Sequence, residues 1–342
     1  MHSPMSGSDP RSHHPPGRHP DRRRFLGACA AALGAAGTGA ARAAPWPERP
    51  VTVIVPYAPG GQGDVFARLV GDRLARALGQ PVVVDNRPGA SGALGARLAA
   101  RAPADGHTLL LGQTGEIAIN GTAMKHPGYD AQKDLRAVAL VGNAPLVLSV
   151  PAASPHGSLA ELVQAARARP GGVAYASSGV ATPGHLAAAA LAAGTRADMV
   201  HVPYKGAGQA ITDLVGGQVQ FFFASASSIM PHLQGGRVRA LAVSTPARVA
   251  ALPQVPPVAD TLPGFDFSLW GGYFAPRATP DATVRRLAQE IDRILAEPEL
   301  RRRLESEGSA VAPGTPEGFE RFVRAEIAKY ARLVRSTGAT LE

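Results

Sequence analysis

The chain has 342 residues, of which 45% are hydrophobic, and it carries a formal net charge of +9. The charge suggests a nucleic-acid partner, but residues 1–43 hold six arginines and two aspartates, so the remainder carries only about +5. The densest basic run of that remainder, at 301–303, lies among glutamates, which is typical of a solvated helix face. We therefore expect no nucleic-acid partner.

The first 43 residues predict an export signal. Three arginines at 22–24 run directly into a weakly apolar segment rich in alanine and glycine, which is the twin-arginine form. Small residues predict cleavage near Ala43, and the mature protein is then expected to be soluble in the periplasm. Cys29 is the only cysteine and lies inside this segment. Lipidation of Cys29 is the alternative, but cleavage there leaves almost no apolar run before it.

Eight short apolar runs alternate with amphipathic helical segments after the signal. In chain order, the predicted strands are at 51–55, 82–85, 108–112, 146–150, 173–177, 199–202, 219–223 and 241–244. Continuous apolar runs of this kind are typical of strands buried on both faces of a parallel sheet. Alternation of strands with helices predicts an α/β fold.

Two Pro-rich segments mark the points at which the mature chain is predicted to cross from one domain to the other. The first lies near residues 143–145 and the second spans residues 252–263. The chain therefore predicts one discontinuous domain from residues 44–145 and 245–342, and a second from residues 146–244. About 299 mature residues fit two domains of ordinary size, and a hinged cleft between them is a natural site for a ligand.

The loop after the first predicted strand is a candidate anion site. It contains three glycines and Asp64, a good helix N-cap, immediately before a helix. This order places free N–H groups at the carboxyl edge of the sheet, where ligands bind. The glycine spacing matches neither a P-loop nor a dinucleotide fingerprint. A plain strand-to-helix turn remains the alternative interpretation.

Small and hydroxylated residues recur after other predicted strands, at 86–92, 113–115 and 177–183. Such loops can hold a carboxylate through backbone, hydroxyl and water contacts without a buried arginine. Enzyme interpretations fit less well. Residues 89–93 narrowly miss the G-x-S-x-G elbow, and His185 at a helix start favours a structural or ligand-contacting role. No metal motif is present, so we expect no cofactor, no metal and no catalysis.

Several ordered blocks resemble the Bug family of periplasmic receptors, the binding proteins of tripartite tricarboxylate transporters. The blocks are VPYAPGGQGD (55–64), NRPGASGALGA (86–96), SSGVATPGHL (177–186), VPYKGAGQAITDLVGGQVQFFF (202–223), PHLQGGRVRALAVST (231–245) and FAPRATP (274–280). The resemblance implies a type II periplasmic-binding-protein fold, two α/β domains with a hinged cleft. It also implies a small organic acid ligand, such as a di- or tricarboxylate, an amino acid or an aromatic acid, and membrane permease subunits as partners. Because a clamshell that must open and close is usually a monomer, we expect a monomer.

The resemblance also implies a set of ligand contacts. Its members are Tyr57, Ala58, Gly60, Gly61, Ala90, Ser91 and Gln113 from the first domain, and Ser177, Thr182, His185 and Ser225 from the second. Many relatives carry an Asp-Asn pair where this chain has Ala224 and Ser225. Because alanine cannot pair with an ammonium group, we expect a ligand that has none.

Two other functions remain open on the sequence. A periplasmic sensor could bind the same ligand and report to a membrane histidine kinase. A secreted hydrolase could use Ser91 or Ser178 as its nucleophile, which requires turnover of an ester or amide. The resemblance favours a solute-binding receptor that performs no chemistry.

Overall fold

The computed structural model describes residues 46–204, 206–306, 308–311 and 313–341. The predicted export signal and its cleavage site lie outside the described residues. Trp46–Glu342 forms one compact unit. None of the helices in the described ranges has both the length and the apolar composition that a bilayer span requires.

The described residues form ten strands. They are β1 (Val51–Val55), β2 (Val82–Asn86), β3 (Thr108–Gln113), β4 (Leu135–Pro151), β5 (Val173–Ser177), β6 (Met199–Pro203), β7 (Phe221–Ser225), β8 (Val238–Val243), β9 (Ser268–Pro276) and β10 (Ala310–Val311). All eight predicted strands are present, and seven of them lie within three residues of the expected bounds. Strands β9 and β10 and the first half of β4 were not predicted.

Eleven α-helices lie in the same residues. They are α1 (Gln62–Leu78), α2 (Ala93–Ala100), α3 (Asn120–Ala123), α4 (Ala131–Asp134), α5 (Leu159–Ala168), α6 (Pro183–Thr195), α7 (Ala207–Val215), α8 (Ala226–Gln234), α9 (Asp281–Leu295), α10 (Pro298–Ser306) and α11 (Pro316–Thr337). Short helical turns occur at Ala90–Gly92, Gly115–Ile119 and Val258–Asp260.

The sheet is mixed rather than parallel throughout, which corrects the sequence-based expectation. Its order is β2-β1-β3-β9-β4-β7-β5-β6, and β8 and β10 also pair with β4. The pairs of β1 with β2 and β3, and of β5 with β6 and β7, are parallel. Strands β4 and β9 run antiparallel to their neighbours. The parallel groups at the two ends therefore carry the strand-to-helix loops, and the antiparallel strands join them.

Strand β4 connects the two ends of the sheet. Residues 135–145 pair with β9, whereas residues 146–151 pair with β7 and β8. Ser244 links this point to the returning chain, since its hydroxyl accepts from the Leu146 N–H at 2.9 Å and donates to the Phe267 carbonyl at 2.5 Å. Leu146 directly follows the first predicted crossing, and Ser244 and Phe267 lie on either side of the second. The boundaries of the two domains stay a prediction.

Helix α1 shows how the apolar pattern positions the first candidate loop. Phe66, Val70, Leu74 and Leu78 recur at helical spacing and pack against the buried valines of β1. Burial of each such side chain contributes about 1.5–3 kcal/mol. Gly79 then ends the helix in a left-handed conformation, with φ of 69°. This packing fixes the start of α1 at the carboxyl edge of β1.

Candidate functional site

A cavity of about 640 Å³ lies where the loops of the two parallel strand groups meet. The first group contributes residues 57–62, Gln113 and Gly115, and β9 contributes Leu269. The second contributes residues between 178 and 232 from loops, helix starts and β7, and Leu146 lies where β4 passes from one group to the other. The volume is within the range of small-molecule sites.

Four helices begin at this cavity. The lining includes residues at the starts of α1, α6, α7 and α8, from both strand groups. The first N–H groups of a helix have no partner within it, and they lie at the positive end of the helix dipole. No aspartate, glutamate, lysine or arginine is among the described residues that line the cavity. Dipoles and neutral donors thus favour an anion here.

The first loop differs from the expectation in its capping. Helix α1 starts at Gln62 with Gly61 as N-cap, and no side chain caps it. Asp64 lies in the first turn and its carboxylate accepts the Gly60 N–H at 3.0 Å. Burial opposes ionisation of Asp64, but hydrogen bonds from Arg68, Gly60 and Asn86 outweigh it and lower the pKa of the carboxyl group. The Gly60 N–H is therefore occupied, and Gly61 and Gln62 supply the free donors.

Two buried amides form the wall beside this loop. The Gln113 side chain donates to Gln62 Oε1 at 3.4 Å, and Gln62 Nε2 donates to the Leu269 carbonyl at 3.2 Å. A Cβ on Gly63 would lie 2.6 Å from Gln113 Oε1. Glycine at position 63 therefore leaves room for the Gln113 side chain in its present position.

Glu116 lies behind this wall and was not predicted from the sequence. Its side chain is fully buried and accepts hydrogen bonds from the Gln113 N–H and, at 2.8 Å, from the Tyr57 hydroxyl. Burial raises the pKa of Glu116 to about 8, although these hydrogen bonds oppose the shift. Its one sequence signal is that it is an acidic residue in an otherwise uncharged segment, QTGEIAIN.

Hydroxyl groups line the opposite wall. Thr182 caps α6, where its Oγ1 accepts the His185 N–H at 3.5 Å. The hydroxyls of Ser225 and Ser228 lie 2.7 Å apart at the start of α8. His232 completes this wall, and burial together with the nearby Arg237 lowers the pKa of its imidazole. This wall therefore presents neutral groups at pH 7.

Ala224 does not contact the cavity, which corrects the reasoning about ammonium groups. It is fully buried on β7, between the lining residues Phe223 and Ser225. An acidic side chain there would enter the core on the other face of the sheet. The absence of acidic side chains from the described lining is the sounder reason to expect a ligand without an ammonium group.

The structure brings together seven of the eleven residues expected to contact ligand. Those that line the cavity are Tyr57, Ala58, Gly60, Gly61, Gln113, Thr182 and Ser225. The lining residues that the sequence analysis did not assign to ligand include Gln62, Ser178, Gly206, Ser227, Ser228 and His232. Most of these lie within one or two turns of a predicted contact, at the helix starts.

Four expected residues do not line the cavity. Ala90 and Ser91 form a left-handed turn, with φ of 47° and 50°, and the Ser91 carbonyl accepts from the Asn120 side chain at 2.9 Å. Ser177 is fully buried and hydrogen-bonds His201 Nε2 at 2.7 Å. His185 Nδ1 accepts the Ala181 N–H at 3.0 Å, so its ring faces the interior.

The two stacked histidines make the protein sensitive to acid. The rings of His185 and His201 lie 3.8 Å apart and nearly parallel. Burial lowers the pKa of both, and the neighbouring His201 helps to lower that of His185 to about 4. The unfolded chain has the ordinary value near 6.5. It therefore binds more protons between about pH 6.5 and 4, and stability falls as the pH decreases through that window.

We expect His185→Gln to reduce this acid sensitivity, because glutamine does not titrate. From pH 7 to pH 5 the free energy of unfolding of the unmodified protein falls by about 2 kcal/mol through His185 alone. Urea unfolding at both pH values measures the loss. His126 is exposed, so His126→Gln keeps the full loss. An equal loss in the His185 variant would contradict a neutral, buried His185.

The family follows from a match over most of the chain. Residues 66–339 match the model of the tripartite tricarboxylate transporter family receptor. The chain belongs to this receptor family. Its members are periplasmic solute-binding receptors and not enzymes, which removes the hydrolase alternative. The resemblance to the Bug family and the binding-protein fold are confirmed.

Two relatives of the receptor cover nearly its whole length. It is 39% identical to a protein encoded in the tcbD-tcbE intergenic region of Pseudomonas sp. (strain P51), over 92% of this chain and 94% of that one. It is 36% identical to protein BugT of Bordetella pertussis, over 87% of this chain and 92% of that one.

Two solved structures of similar proteins contain a bound dicarboxylate. R. palustris Rpa4515 with adipate is 34% identical, with a TM-score of 0.82, over 86% of this chain and 100% of that one. MatC from Rhodopseudomonas palustris with bound malate is 32% identical, with a TM-score of 0.78, over 84% of this chain and 100% of that one. The receptor therefore shares its fold with carboxylate-binding proteins.

Within the described residues, no group of three or more His, Cys, Asp or Glu side chains is placed to hold a metal ion.

Proposed function

We propose that the receptor captures a small dicarboxylate in this cavity and delivers it to the permease subunits of a tripartite tricarboxylate transporter. The observation that carries the proposal is the convergence of four helix starts on a cavity whose described lining has no charged aspartate, glutamate, lysine or arginine. Adipate and malate in the similar structures support a ligand with two carboxylates.

One carboxylate binds the loop before α1 and the other binds the opposite wall. Gly61 and Gln62 donate from the first side. On the second side the hydroxyls of Thr182 and Ser228 turn to the ligand from the Gly179 and Ser225 carbonyls to which they now donate, and Ser225 lies beside them. Apolar groups lie between them, including Leu146, Ile211, Phe223 and Leu269. This arrangement, with a polar wall on each side and apolar residues between them, fits a dicarboxylate whose two carboxylates are joined by a hydrocarbon chain.

The expected domains, 44–145 with 245–342 and 146–244, supply the two walls. We propose that they close on the ligand by a hinge at β4 and at the returning segment joined to it through Ser244. Backbone rotation at two short crossings is the usual way that such a clamshell buries its ligand.

Calorimetric titration of the exported protein tests the ligand class. We expect adipate and glutarate to bind at least about tenfold more tightly than 2-aminoadipate and glutamate, because an ammonium group buried without a partner costs several kcal/mol. Each pair has the same chain length, so it isolates the ammonium group. Tighter binding of the amino acids would overturn the assignment.

A thermal-shift measurement provides an independent check. A ligand at about 100 times its dissociation constant stabilises a protein by roughly 2.7 kcal/mol, which raises the melting temperature by about 5–10 °C at this size. No shift with any mono-, di- or tricarboxylate, in protein shown by mass spectrometry to be free of ligand, would overturn the proposed function.

A further inference from the structure

Glu116 is a buried acid without a basic partner. Its side chain has no exposed surface, and its oxygens accept from the Gln113 N–H, the Tyr57 hydroxyl and its own backbone N–H. In the described part of the chain, no lysine, arginine or histidine forms an ion pair with it. An isolated carboxylate in such a place loses its hydration, so the neutral acid is favoured.

The other titratable groups around Glu116 do not offset this cost. Tyr129 donates its hydroxyl to the Glu116 carbonyl at 2.5 Å, and Tyr57 contacts the carboxyl group. The positive charge of Arg97 on α2 lies near the Tyr129 hydroxyl and opposes the rise of its pKa. On α11, which packs against the turn that contains Glu116, Lys329 is paired with Glu326 at 2.7 Å. The nearby cations are thus directed at other groups.

The hydrogen bonds around Tyr57 accommodate both protonation states of Glu116. When Glu116 is ionised, the Tyr57 hydroxyl donates to Oε2 at 2.8 Å. When it is neutral, its proton can point to the Tyr57 oxygen, and the tyrosine proton can turn to the Ser91 carbonyl at 3.4 Å. Either state can form without movement of a heavy atom.

Glu116 is separated from the cavity by one layer of residues. Tyr57 and Gln113, which donate hydrogen bonds to its carboxyl group, both line the cavity. A negative charge on Glu116 would therefore lie close to the carboxylate of a bound ligand and repel it. We propose that Glu116 is a positioning residue that holds a proton in the receptor and must keep it for an anion to bind. This inference rests on the proposed function in that the ligand is a carboxylate.

The pH dependence of adipate binding tests the proposal. Because burial raises the pKa of Glu116 to about 8, the neutral form is the major one at pH 7 and a small fraction at pH 9. If only that form binds, the affinity falls about tenfold from pH 7 to pH 9. Ligand carboxyls stay ionised over this range, and the three histidines with lowered pKa, His185, His201 and His232, stay neutral.

Two matched variants assign the effect to Glu116. Glutamine at position 116 can keep both hydrogen bonds but cannot ionise, so Glu116→Gln is expected to change affinity less than twofold between pH 7 and pH 9. Glu48 is exposed, and Glu48→Gln keeps the tenfold loss. A flat profile in the unmodified protein, or the same loss in the Glu116 variant, would overturn the proposal.

A measurement on the unmodified protein covers the case in which the Glu116 variant does not fold. Calorimetry in two buffers with different ionisation enthalpies gives the number of protons taken up on binding, which is expected to approach one at pH 9 and to be about 0.1 at pH 7. No uptake at pH 9 would contradict the proposal.

A titration without ligand separates this proposal from the proposed function. Carbon-13 NMR of the glutamate carboxyls is expected to show one group that titrates well above pH 7. If every glutamate titrates near the ordinary value of about 4.3, the proposal is wrong whether or not adipate binds. If no carboxylate binds at any pH, the proposed function and the coupling both fail, and the titration still decides the protonation of Glu116.

Discussion

Replacement of Gln62 by proline is expected to weaken adipate binding by about tenfold or more relative to Gln62→Ala. Gln62 is the first residue of α1, so its N–H has no acceptor within the helix and lies at the cavity. Proline removes this donor. A hydrogen bond to a charged group contributes about 1.5–3 kcal/mol, which corresponds to the expected loss of affinity.

The backbone around Gln62 suits proline. Proline is favoured at the first position of a helix, and the residue before it must be extended. Gly61 already has φ of −81° and ψ of 169°. We therefore expect Gln62→Pro and Gln62→Ala to unfold at similar temperatures.

Alanine at position 62 is the matched control because both variants lose the same side-chain contacts with Leu269 and Gln113. Only proline also loses the N–H. Calorimetric titration of both variants with adipate gives the contribution of this one donor. Equal affinities would show that the ligand does not accept from the Gln62 N–H.

The strands that could be predicted from the sequence are the continuous apolar runs. Strand β9 escaped prediction because Gly271 and Gly272 interrupt its apolar pattern, and glycine in a strand is a weak signal. The structure explains Gly272, since a Cβ there would lie 2.4 Å from the Phe319 ring. Close packing of α11 on the sheet thus requires glycine at a position where an apolar side chain would have indicated a strand.

The first ligand loop could be predicted because glycine, strand end and helix start are local features. The direction of a side chain from a strand or helix start was harder to predict. Ser177 and His185 are next to cavity-lining residues in the sequence. Both side chains nevertheless face the interior, where they contact His201. Glu116 depends on its contact with Tyr57, 59 residues away, and no local pattern encodes that contact.

Replacement of Gly184 by alanine is expected to lower both stability and ligand affinity. Gly184 is the second residue of α6 and lines the cavity. A Cβ there would lie 2.5 Å from the carbonyl oxygen of Phe223 on β7. Relief of this clash requires the start of α6 to move from the sheet, which displaces its N–H groups from the ligand. Overpacking of this kind costs about 1–3 kcal/mol.

Gly208 provides the matched control because it is the second residue of α7 and also lines the cavity. No atom lies within 4 Å of its Cβ position, and alanine is the better helix former by up to about 1 kcal/mol. Gly208→Ala should therefore melt at or above the temperature of the unmodified protein. Gly184→Ala is expected to melt about 2–10 °C lower and to bind adipate more weakly in calorimetric titration. Equal melting temperatures for the two variants would contradict close contact between α6 and β7, and with it the fixed placement of the α6 donors at the cavity.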